Sequence, residues 1–191
     1  MTKLEALNVI LDGIGVRPVT TYGSSHPDAS VAREHLTRAT SDIQDKGWWF
    51  NTEHDITLSR EALTNKIPLP SNALDINPTD TDTNYVQRNT FLYDMEQHTY
   101  VFTEDVVADI IFLLPFEELP SVIQKFITRT ATYEFSITRE GDQNKLLHQG
   151  DLLLKAKSAA YGAEIRNGNY NALKTKHARR VMAGIKPMRR R

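Results

Sequence analysis

A chain of 191 residues with 40% apolar side chains can bury a real core, as one domain or as two small ones. Zero cysteines exclude disulfides and cysteine-ligated zinc or iron–sulfur sites, and no stretch approaches the roughly 18 apolar residues of a membrane span. The net charge of −1 conceals a split: residues 1–164 hold 14 basic against 24 acidic groups, while everything after Glu164 is free of acid and carries nine basic groups, which points to a tail with a partner.

The opening MTKLEALNVILDGIG has acidic residues and helical period where a signal peptide has a basic region and an apolar run, so no leader is expected. Thr2 and Glu5 stand at capping-box spacing, and Leu4, Leu7, Ile10, Leu11 and Ile14 recur on one face until Gly13 and Gly15 end the helix. Pro27 and Asp28 suit a first turn. Ala29, Ala32, Leu36, Ala39 and Ile43 then form a narrow stripe for close helix packing. That helix should run to Lys46, with Gly47 in the left-handed C′ position and Trp48 folded back on Ile43. Trp49 or Phe50 is expected to enter a second, β core.

From Trp48 to Pro115 the period changes. Short β-branched and aromatic runs (56–58, 67–69, 85–86, 91–93, 99–102 and 106–114) alternate with polar turn clusters, the pattern of a small antiparallel sheet or sandwich. Residues 70–84, PSNALDINPTDTDTN, read as loop. Helical period returns after Pro120 with Val122, Ile123, Phe126, Ile127 and Ala131, stopping near Gly141. Asp142 can cap a last helix whose stripe is Leu146, Leu147, Leu153, Leu154, Ala160 and Tyr161, closed by Asn167-Gly168. The expected fold is α+β: a four-helix bundle from residues 1–47 and 117–168, an inserted small antiparallel β domain over 48–116, and a flexible basic arm over 169–191.

The candidate sites are few. No metal is expected: the six histidines show no recognised ligand spacing, and Glu53-His54-Asp55 in a strand would point to opposite faces. Acid pairs such as Glu117-Glu118, Glu104-Asp105 and Asp80 with Asp82 could serve a polysaccharide hydrolase, but 24 acids produce such pairs by chance, and the expected reading is solvated charge. Gly13-Ile14-Gly15 follows a helix and lacks the rest of a nucleotide fingerprint. No cofactor is expected. Two features remain. One is the seam at Ile43, Gly47, Trp48, Trp49 and Phe50, where the helices hand the chain to the strands. The other is the basic arm, Lys174, Lys176, Arg179, Arg180, Lys186, Arg189, Arg190 and Arg191, which could meet DNA phosphates or an acidic protein surface.

Taken in order, LNVILDGIGVRPV, the alanine-rich helix ending in KGWWFN, the ITL strand, YVQRNTFLYD and FEELPSVIQKFITRTATYEF resemble the tail tubular A proteins, the head-to-tail adaptors of T7-type short-tailed phages, over residues 4 to about 165. The resemblance implies a virion protein without enzymatic activity, assembled in the host bacterial cytoplasm. It implies a twelve-fold ring of copies between the portal protein, met by the helices, and the tail nozzle protein, faced by the β part, with DNA passing through the channel unread. The arm from Lys174 to Arg191 departs from the family pattern. Two other functions compete: a polysaccharide-degrading tail hydrolase, and a DNA-binding protein acting through the arm.

Overall fold

The computed structural model of the protein describes residues 1–80, 83–139 and 142–174, the last six in backbone only. They form an α+β fold of four α-helices and two small antiparallel sheets, in the order α1 (Lys3–Asp12), α2 (Pro27–Gln44), β1 (Thr52–Leu58), β2 (Ala73–Pro78), β3 (Tyr85–Arg88), β4 (Phe91–Asp94), β5 (Val106–Phe112), a 3₁₀ turn (Phe116–Glu118), α3 (Ser121–Arg139) and α4 (Gln143–Lys174).

The helix ends follow the local chemistry of the sequence. Thr2 Oγ1 accepts from Glu5 N–H at 3.2 Å and Glu5 Oε2 accepts from Thr2 N–H at 2.9 Å, a complete capping box. α1 stops in a Schellman ending: Gly15 at φ 75° lets Val16 N–H reach Leu11 O (3.0 Å) and Gly15 N–H reach Asp12 O (2.9 Å). The alanine stripe of α2 is wholly buried, and α3 packs against α1, α2 and α4. Thr128, Thr132 and Ser136 lie buried on α3, and each hydroxyl donates to the carbonyl four residues back at 2.7–2.8 Å. This row therefore enters the core without stranding a polar atom.

β5 is the centre of the three-stranded sheet, flanked by β1 and β2; β3 and β4 form a separate hairpin. Two apolar clusters result. One gathers α1–α4 with Trp48, Phe116 and Leu119; the other gathers Leu58, Ile67, Leu69, Ile76, Leu92, Phe102, Val106, Ala108 and Ile110.

Four expectations need correction. Residues 70–84 are not all loop, because β2 lies within them as an edge strand whose one deeply buried side chain, Ile76, pairs with Ile110. The runs 67–69 and 99–102 make only isolated bridges, Pro68 with Phe91 and Asp94 with Thr99. α4 does not close at Asn167-Gly168 but continues to Lys174; Asn167 Nδ2 donates to Ala163 O at 2.8 Å and so sits inside the helix rather than in a turn. Finally, α4 does not bury one stripe. Leu153, Ala156 and Ala160 face the core while Leu147 and Leu154 stand in solvent, since α3 covers only one side and adjacent residues are about 100° apart around a helix. Gly141, Asp82 and the arm beyond Lys174 lie outside the described residues.

Candidate functional site

The chain leaves the helices once, after α2, and returns once, after β5. α2 ends at Gln44, two residues before the expected Lys46, and Gly47 (φ 73°) supplies the left-handed turn with its N–H donating to Gln44 O at 3.0 Å. The second Schellman bond is missing. The indole Nε1–H of Trp48 donates to Ile43 O in its place, which frees the Trp48 main-chain N–H for Asn51 Oδ1 at 2.8 Å. A side chain at position 47 would put its Cβ 2.7 Å from Ile111 Cδ1 on the returning strand, so glycine is required by conformation and by space.

Two buried amides stitch the outgoing chain to the returning one. Gln44 Oε1 accepts from Leu114 N–H (2.9 Å) and its Nε2 donates to Leu114 O (3.1 Å). Asn51 Nδ2 donates to Gln44 O (3.0 Å) and to Phe112 O (2.8 Å), and Phe112 N–H donates to Asn51 O (2.8 Å). Both residues are at most 1% exposed. In a dry site each bond is strong and each unmade bond is costly, so this lattice fixes how β1 and β5 leave the helices. Sequence reasoning missed both residues. The only hint was a polar residue on either side of a glycine and two tryptophans.

Ile43 is buried and Trp48 is 2% exposed at the middle of an aromatic cluster. Its ring lies 5.4 Å from Tyr161 of α4 and 6.4 Å from Phe126 of α3, both edge-on, and 6.4 Å from Phe50 in a stacked arrangement. The Lys46 ammonium sits 4.5 Å over Trp48 and 3.9 Å over Tyr161, a cation–π clamp between the turn after α2 and α4. Trp49 N–H donates to Glu164 Oε2 at 3.3 Å. Trp49 and Phe50 pack against the helical cluster and not in the β core where the sequence placed them. The reason is that three residues beyond Gly47 are too few to clear the end of α2 while Asn51 is pinned to Gln44. Lys174 ends α4, and Lys176, Arg179, Arg180, Lys186, Arg189, Arg190 and Arg191 lie outside the described residues.

One acid of the Glu117-Glu118 pair and one of the Glu104-Asp105 pair is engaged structurally, and so is Asp109. His54 Nδ1 lies 2.9 Å from Asp109 and Glu117 lies 3.6 Å from Lys3, while Asp105 accepts from Arg60 N–H (3.1 Å). Among the described residues no three His, Cys, Asp or Glu side chains gather as metal ligands, and no helix is long and apolar enough to cross a membrane. The β part is strongly acidic near Tyr85. Burial first, then the carboxylates of Asp94, Asp80, Glu96 and Glu104, push its phenol above the ordinary value of 10.0.

Over residues 4–171 the chain matches the family described as tail tubular protein. It is also 27% identical, over 182 residues, to the tail tubular protein A of Klebsiella phage KP34, an alignment that spans 95% of this chain and 96% of that one.

Proposed function

The chain belongs to the tail tubular protein family, and from that premise we propose that it is a structural virion protein, one copy of an adaptor ring of twelve between portal and tail nozzle. The observation that carries this reading is the stitched crossing. A protein that joins two unlike assemblies needs its two contact regions held in a fixed relation, and here buried amides and a tryptophan cluster hold the helices and the sheet at one doorway. On this reading the four helices form a bundle organised on α3 and meet the portal, and the inserted β part over 48–116 faces the nozzle.

The charge split supports the conduit role. A channel wall rich in carboxylates repels phosphates and lets DNA slide, whereas a basic wall would bind it with release of counterions. Residues 1–164, with a balance of −10, suit such a wall. The arm from Lys174 to Arg191 then serves as a tether for the portal or another acidic protein surface, and the ring works by repeated contacts without enzymatic chemistry.

The test is co-assembly. Purified protein mixed with the portal should give rings by electron microscopy, and the protein should be found in virions; failure of both rejects the adaptor. The arm itself favours a second reading, a DNA-binding protein. That reading predicts retention on DNA that falls steeply with salt and disappears when residues 175–191 are removed.

A further inference from the structure

The β part holds a cavity of about 340 Å³ between the end of β2 and the start of β5. Pro78, Tyr85, Phe102 and Val106 wall it, with the Tyr85 and Phe102 rings edge-on at 5.2 Å. The exposed carboxylates of Asp80, Glu104 and Asp105 line it as well. Asp105 is met by Arg60 N–H (3.1 Å) and Arg60 Nε (4.0 Å), but no lysine or arginine lines the cavity itself. Its frame is preformed: Thr79 N–H and Thr79 Oγ1 both donate to Val107 O, at 2.9 and 3.0 Å. Aromatic walls with carboxylates beside them suit an arginine. The stem lies on apolar surface while the planar head stacks on a ring and forks onto a carboxylate.

The chain carries such side chains on a tether. After Lys174 come 17 residues with seven basic groups and no acid, among them Arg189, Arg190 and Arg191. α4 reaches the crossing at Glu164, which accepts from Trp49 N–H, and its run on to Lys174 adds about 15 Å at about 1.5 Å per residue. From the crossing at Phe112 the cavity lies back along β5 at Val107, about 17 Å away at about 3.3 Å per residue. Laid end to end with the crossing between them, these legs come to on the order of 50 Å, and 17 extended residues span about 56 Å. The end of the arm can therefore reach this cavity in its own chain whichever way α4 points.

We propose that an arginine of the Arg189–Arg191 cluster docks in this cavity of its own chain and holds the arm against the β part. A tether of this length keeps the two at an effective concentration on the order of millimolar, so a contact too weak to join separate molecules is still occupied. The docking does not rest on the adaptor-ring reading. Any outside acidic surface has to compete with the cavity for the arm.

The chain contains no cysteine, so thiols can be introduced cleanly. Thr103→Cys places one beside the cavity, and Met188→Cys places one on the arm with every basic group kept. In the full chain, this double variant treated with a short bismaleimide should give an intrachain cross-link, read by mass spectrometry as a joined peptide pair. Its yield should exceed by about tenfold that of Leu147→Cys with Met188→Cys, whose first thiol stands on the exposed side of α4. Adding Asp80→Lys and Glu104→Lys, both exposed and so folded as wild type by circular dichroism, should bring the yield down to that control, and raising the ionic strength should lower it. Arg189→Gln, Arg190→Gln and Arg191→Gln together should do the same. The proposal is overturned if the yield matches the control from the outset, if it survives Asp80→Lys with Glu104→Lys, or if the two single-cysteine variants, mixed, cross-link between chains as well as the double variant does within one. Rings on the portal without the intrachain cross-link would remove this docking and leave the adaptor standing; the cross-link without rings would do the reverse.

Discussion

Asn51 is the residue on which the crossing turns. Its side chain bonds Trp48 N–H, Gln44 O and Phe112 O; in Asn51→Ala all three bonds are lost, and Gln44 O keeps the Gly47 N–H. At about 1–3 kcal/mol for each stranded group, partly relieved by entering water, the expected loss is roughly 3 kcal/mol in urea denaturation. Asn51→Asp, which keeps an acceptor for Trp48 N–H and sets a carboxylate against two carbonyls, should do no better. Tyr85 offers a pH test. Its folded pKa is raised, so its contribution to stability is complete below the ordinary phenol value of 10.0 and is lost as pH rises through the folded value. Phenolate absorbance near 295 nm should show a component titrating above 10.0 that is lost in Tyr85→Phe. A titration above that value left unchanged by Tyr85→Phe would contradict the burial and the four carboxylates around Tyr85.

At the scale of elements, α4 gives the sharpest contrast, because neighbours in sequence differ in surroundings. Leu153→Ala, emptying a partly buried place on the helical core, should cost roughly 2 kcal/mol, whereas Leu154→Ala should stay within about 0.5 kcal/mol. Equal losses on thermal denaturation would mean that α4 is buried on both sides. The helices were legible in the sequence where a local rule sufficed: the Thr2–Glu5 box, the alanine stripe of α2, and Pro120 ahead of α3. What escaped depended on distant partners. β2 has only Ile76 deeply buried, and it becomes a strand because β5 offers it an edge. Asn167-Gly168 reads as a stop, yet the helix runs through it, past Ala160 and Ala163 anchored in the core one and two turns earlier. Gln44 and Asn51 look like ordinary polar residues, because the groups they satisfy at Leu114 and Phe112 lie 70 and 61 positions away. The glycine and the first tryptophan of the site were visible; the bonds that make it a joint were not.

For the whole molecule, the charge split makes a quantitative demand. Removing residues 175–191 deletes seven basic groups and no acid, leaving a more acidic protein. If the arm is a tether, the truncated form should bind the portal more weakly than the full chain, with the difference largest at low salt and shrinking as ionic strength rises. Equal binding at every salt concentration would take the arm out of assembly. The doorway has another consequence. Asn51 O and Phe112 N are 2.8 Å apart, so the 60 residues between them, 52–111, begin and end at the same point, like a cassette clipped into a frame. A lineage could lengthen, shorten or exchange that cassette to suit a different tail without moving a helix, because Gln44, Asn51, Phe112 and Leu114, which make the clip, all lie outside it.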